Sequence, residues 1–264
     1  MVSSVRIKGK ELLCRNTIRF FLVSIVSFLF RYGIVSVNIG AFYLFFESGY
    51  RIEYIFVPVI FSVVSLLFIS GIKMGEEFIY FIRADGGNGR FLLLFKFLSP
   101  ENSLKATLFY IKINFLKAFW LLYFLLPSLI CGGCSFYLYK TSIINDFVSF
   151  TLLTGTIVLF CLSLVVWRTA ILRYKAATYY FCLDDNRLVN KAIKKSVQFT
   201  DGSLSDGVVL EYSLLGWILS CAFVVPIVYV LPYIRLCKAI YTIEAVQGAK
   251  PCKTRYAVNI ISVM

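Results

Sequence analysis

From Val208 to Leu231 the chain runs for about twenty-four residues with Glu211 as its only charge. At about 1.5 Å per residue, a helix of that length matches a hydrocarbon core of roughly 30 Å. A helix that is apolar on every side has to be buried on every side, in lipid or in protein. Pro226 and Pro232 then turn the chain toward a short basic helix that closes at Tyr241.

Four more apolar runs precede it, at residues 18–46, 55–72, 118–139 and 147–167. The pattern predicts an all-α fold: a polytopic transmembrane helix bundle of about five spans, with cytoplasmic amphipathic helices, in one integral membrane domain over residues 1–264. Composition points the same way. The chain is 59% hydrophobic and 16% charged, whereas soluble domains are about 45–50% apolar and about 25% charged. Its charge is lopsided, with 27 Lys and Arg against 14 Asp and Glu. Because the basic residues sit between apolar runs, the expected partners are the lipid bilayer, with anionic lipids on its cytoplasmic side, and other membrane proteins. Nucleic acid is not expected. The chain has no histidine, which removes histidine-ligated zinc, Ser-His-Asp and Cys-His nucleophiles, and histidine proton relays.

The N-terminal nineteen residues carry Arg6, Lys8, Lys10, Arg15 and Arg19 ahead of an apolar run. No small-residue cleavage site follows, so the expectation is an uncleaved first helix and not a signal peptide. Residues 73–117 alternate charge with aromatic side chains, split by a Gly86-Gly87-Asn88-Gly89 turn, and read as amphipathic helix at the interface that continues the second span. In the connection 168–207, Asp184 and Asp185 precede a helix that puts Leu188, Val189, Ala192, Ile193 and Val197 on one face. The other face holds Arg187, Lys191, Lys194 and Lys195, candidates for lipid headgroups. The N-terminus, second and fourth connections hold nineteen basic residues against two in the first and third, Arg51 and Lys140. That bias predicts a cell (plasma) membrane protein with its N-terminus on the cytoplasmic side. Five spans would then carry the tail outside despite Arg235, Lys238, Lys250, Lys253 and Arg255, which is a conflict within the reading.

Arg31 stands about a dozen residues into the first run, near mid-bilayer, where a charge costs several kcal/mol and needs a partner. Glu211, in the first turn of the fifth span, is the expected acidic partner and would frame a polar site between those helices. Cys131-Gly-Gly-Cys134 is a cysteine pair at redox spacing, and thiol exchange would need one thiolate held by positive charge or a helix N-terminus. Two small residues at a loosened helix end explain the same spacing. Trp120, Trp167 and Trp217 fall at or near span ends, as interface anchors do. No metal site, cofactor or catalytic residue is expected.

Tyr179-Tyr180, Asp184-Asp185, Lys191-Ala192-Ile193 with Ser196, Gly216-Trp217-Ile218-Leu219, Pro232-Tyr233 and Tyr241 follow one another across residues 168–241. This order resembles a large family of uncharacterised bacterial multi-pass membrane proteins, related to the membrane domain of some glycerophosphodiester phosphodiesterases. The family often has Ile-Pro-Gly where this chain reads Trp167-Arg168-Thr169. The resemblance implies a bacterial polytopic membrane protein and supplies no catalytic residues.

The functional expectation is a non-enzymatic membrane component that supports transport, assembly or envelope organisation. The alternatives are a small carrier with a polar intramembrane site around Arg31, and a membrane thiol-disulfide oxidoreductase at Cys131 and Cys134.

Overall fold

The computed structural model describes residues 2–47, 49, 55–141, 146–184, 186–200, 204–220 and 224–248. The described residues are helical apart from turns and short connections, and they form a helical bundle. Helices α1 (Val2–Glu47), α2 (Phe56–Ala84), α3 (Pro100–Lys140) and α4 (Asp146–Ile171) carry the apolar runs. Four described helices are long and apolar enough to cross a membrane. Five shorter elements follow in order: α5 (Ala177–Leu183), α6 (Val189–Thr200), α7 (Leu204–Ser213), α8 (Leu215–Ser220) and α9 (Val224–Gly248).

The helices outrun the hydropathy windows that announce them. A 41-residue α3 is roughly 60 Å long at 1.5 Å per residue, twice a hydrocarbon core. The apolar window of the first span is 18–46, whereas α1 begins at Val2 and kinks where Asn16 leaves helical geometry. The window of the second is 55–72, whereas α2 continues to Ala84. Apolarity marks where a helix meets lipid, while its ends are set by capping and turn residues such as Pro100 at the start of α3.

α1 and α2 form one antiparallel hairpin, and α3 and α4 form another. Asn38 bonds Ser65 across the first near its loop, and Ser24 bonds Tyr80 at 2.8 Å toward its open end. In the second, Gly132 lets α3 approach α4, since a methyl group there would stand 3.2 Å from Thr156 Cγ2. Large apolar side chains between Leu22 and Phe68, and between Phe115 and Val166, are exposed. The packed core lies instead in the flanking segments. One cluster joins Val5, Leu13 and Phe20 of α1 to Leu236, Cys237 and Ile240 of α9. Another joins Met74 and Phe78 of α2 to Phe97, Phe109, Phe181 and Ile193.

The stretch read as interfacial amphipathic helix is folded back on itself. After the turn, where Gly86 takes φ +85° as glycine can without strain, a 3-10 turn at Phe91–Phe95 runs along α2. Gly71 and Gly75 present bare backbone to it. A Cβ on Gly75 would lie 2.7 Å from the Leu94 carbonyl carbon and closer still to its oxygen, and one on Gly71 would lie 2.8 Å from the Phe97 carbonyl oxygen. Helix α3 then starts beside α2, with Ser103 Oγ donating to the Leu67 carbonyl at 2.6 Å.

The expected fifth span, 208–231, is not one continuous helix. α7 ends at Ser213, Leu214 forms a turn with its N–H shared between the carbonyls of Leu210 (3.1 Å) and Glu211 (3.2 Å), and α8 begins at Leu215. Residues 221–223 lie outside the described ones. Leu210 and Leu214 are buried in the protein core beside α9, so protein and not lipid satisfies this part of the run.

Candidate functional site

Between α2, α3, the end of α4, α7 and α9 lies a cavity of about 350 Å³, and seven cationic side chains line it against three carboxylates. Two of the carboxylates are hubs. Glu76, whose side chain is 2% exposed, receives the Ser27 hydroxyl at 2.8 Å and the Arg31 guanidinium at 3.2 Å on one oxygen. Arg235 of α9 pairs with its other oxygen. Glu211 gathers Arg168 at 3.1 Å, Lys238 at 3.1 Å and Lys175 at 3.6 Å. A buried carboxylate is tolerated only with such compensation, and together the two hubs hold α1, α2, α4, α7 and α9 around the cavity.

The remaining charges are Lys73, Lys117 and Glu77. Lys73 stands over the Tyr110 ring, 4.4 Å from its centroid, a favourable cation–π contact. The Tyr110 hydroxyl oxygen faces no solvent, and the Glu77 carboxylate lies close to it. Neither Lys73 nor Lys117 has a carboxylate within 4.0 Å among those residues. Two indoles bracket the cavity wall: Trp120 Nε1 donates to Tyr174 Oη at 2.8 Å, and Trp167 Nε1 to the Lys117 carbonyl at 3.0 Å.

The expected pairing of Arg31 with Glu211 is corrected, since Arg31 pairs with Glu76 and Glu211 with three other cations. Both residues do line the one cavity. The sequence reading missed Glu76 because it falls in a stretch assigned to the interface. Gly71 and Gly75, one helical turn apart just before it, are the signal that a close helix contact was there.

Cys131 and Cys134 are both exposed free thiols in α3, which runs unbroken through Gly132-Gly133 to Lys140 and is not loosened there. In α6, Ala192, Ile193 and Ser196 face the core, and Lys191, Lys194 and Lys195 face out. Asp184 caps the approach to this helix by accepting the Leu188 N–H at 3.1 Å, and Lys191 lies 3.5 Å from it. That hydrogen bond, with the nearby lysines, holds the Asp184 carboxyl below its ordinary range. Arg187 takes positive φ, 49°, with its guanidinium over the Phe97 ring. Asp185 lies outside the described residues.

No family model matches the chain, and neither a curated protein nor a solved structure shows similarity to it.

Proposed function

We propose that the chain is a non-enzymatic membrane protein that binds an anionic ligand in this cavity, in the service of transport across or along a bacterial cell membrane. The observation that carries the reading is the imbalance of charge: seven cationic groups and three carboxylates face one cavity. A cavity lined by one sign of charge concentrates ions of the other. The polar site expected around Arg31 favours the carrier reading over assembly or envelope organisation, since a purely structural role gives no reason to gather seven cations against three carboxylates.

The N-terminus and the packed core would face the cytoplasm, supported by the nineteen basic residues that flank the hairpins against two at the loop ends. Arg235 and Lys238 pair with Glu76 and Glu211, so these tail residues share the core with the basic connections. Without a fifth span between them, these two tail residues would lie on the side of the basic connections; Lys250, Lys253 and Arg255 lie outside the described residues. Anionic lipids would meet the exposed face of α6. Kinship with the bacterial multi-pass family is proposed on the residue order from Tyr179 to Tyr241 alone.

The test is a cysteine introduced at Asn114, which lines the cavity, and labelled by small membrane-impermeant thiosulfonate reagents. A negatively charged reagent is expected to react several-fold faster than a positively charged one of the same size. Equal rates, or faster reaction of the positive reagent, would defeat the proposal.

A further inference from the structure

The geometry points to a phosphate group as the anion, held by the ammonium groups of Lys73 and Lys117; this rests on the anion-binding reading above. Of the seven cations in the cavity, five are already engaged by Glu76 and Glu211. The engaged set includes all three arginines, Arg31, Arg168 and Arg235. Guanidinium forks match planar carboxylates two bonds at a time, whereas ammonium groups act as point charges that suit the spread oxygens of phosphate. What the protein leaves over is therefore a pair of point charges, Lys73 and Lys117, with Glu77 as the one carboxylate beside them. Two ammonium groups against one carboxylate leave a net positive charge in the cavity for an anion to meet.

Position narrows the ligand further. Lys73 directly follows the apolar run 55–72 and Lys117 directly precedes the run 118–139. The Trp167 indole bonds the Lys117 carbonyl, and tryptophans mark the headgroup level of a bilayer. The cavity thus stands where lipid phosphates lie, and its volume of about 350 Å³ is at the small end of ligand sites, which run from roughly 300 to 1,000 Å³. That space takes a headgroup phosphate with its acyl chains outside, or a small free phosphate compound. Glu77 also lines it and opposes an anion, so it sets an upper limit on affinity.

The full chain, purified in a neutral detergent, is titrated with short-chain phosphatidic acid followed by native mass spectrometry. Separate titrations use inorganic phosphate and succinate, followed by equilibrium dialysis with radiolabel. The same is done for Lys73→Gln with Lys117→Gln, for Glu77→Gln, and for Lys140→Gln at the far end of α3, each retained only if it elutes and melts as the parent does. Loss of phosphatidic acid binding by roughly tenfold or more in the lysine variant, with tighter binding in Glu77→Gln and no change in Lys140→Gln, is the expected result and assigns the phosphate to a lipid. The same loss seen with inorganic phosphate and not with the lipid assigns it to a free compound. Phosphate binding that the lysine variant leaves intact overturns the inference. Succinate binding that the lysine variant abolishes, in a chain that takes neither phosphate probe, overturns it too but leaves an anion site standing. No binding of any of the three probes overturns both. If the lysine variant fails to fold, Lys73→Gln and Lys117→Gln made singly carry the test, with a several-fold loss of phosphate binding expected in each and unchanged binding in both fatal.

Discussion

Arg31 of α1 and Glu76 of α2 lie 3.2 Å apart, nitrogen to oxygen, across the open end of the first hairpin, and Arg235 of α9 closes on the same carboxylate. Removing one member of such a buried set strands the others, which typically costs about 3–5 kcal/mol. Glu76→Gln is therefore expected to lower unfolding stability strongly. Residues in one ionic network couple by about 0.5–3 kcal/mol, while independent sites add within roughly 0.5 kcal/mol. A double-mutant cycle of Arg31→Ala with Glu76→Gln, read by unfolding in mixed micelles, should show that coupling. The cycle of Arg31→Ala with Glu211→Gln should come much closer to additivity. Strong coupling in the second cycle and none in the first would contradict the pairing.

Gly75 is the closest contact between α2 and the returning chain, and no rotamer change can relieve a methyl group set 2.7 Å from the Leu94 carbonyl carbon, because backbone stands on both sides. Overpacking costs about 1–3 kcal/mol where side chains can shift and more where backbone must move. Gly75→Ala is expected to lower the melting temperature well beyond Gly33→Ala, since a Cβ on Gly33 has nothing within 4 Å. Fluorescence-detected chromatography after heating compares them, and equal melting would mean that the 91–98 segment does not pack on α2 in this way.

The same pair of glycines shows where the sequence could be read and where it could not. The apolar runs are visible because lipid exposure leaves a continuous local signature, and α1 to α4 follow it. Glu76 was lost because its charge, amid Phe78, Tyr80 and Phe81, imitates an interfacial helix. Its true environment depends on Ser27, Arg31 and Arg235, all far away along the chain, and no local pattern encodes that. The run 208–231 failed for a related reason. Mean apolarity over a window is blind to the break at Leu214 and to the cations that tether Glu211, so burial in protein looks the same as burial in lipid. The outward lysines of α6, by contrast, followed directly from 3.6-residue periodicity, although Leu188 lies outside that helix and is exposed.

Asp184 gives a pH dependence whose sign can be fixed. Its carboxylate accepts the Leu188 N–H at the entry to α6, and that bond, reinforced by Lys191 and Lys195, depresses its pKa. A depressed carboxyl contributes stability above its unfolded value and loses it as pH falls through the folded value. A side-chain hydrogen bond of this kind is worth about 1 kcal/mol. Amide exchange over residues 189–193 should therefore be faster in Asp184→Ala than in the parent at neutral pH. The gap should close in acid below the ordinary aspartate range. A gap that persists unchanged in acid would show that the carboxylate charge plays no part.

Cys131 and Cys134 supply the last expectation. They sit three apart in an unbroken helix, both thiols exposed and free, and neither stands at the N-terminus of that helix, where a thiolate would be stabilised. Gly132 between them is occupied with helix packing against Thr156, which accounts for a small residue at that place without redox chemistry. Thiol trapping of the full chain in membranes with a bilayer-permeant maleimide should give the same mass with and without prior reductant, for the parent and for Cys131→Ser. A reductant-dependent shift that Cys131→Ser removes would establish a disulfide there and return the oxidoreductase reading to consideration.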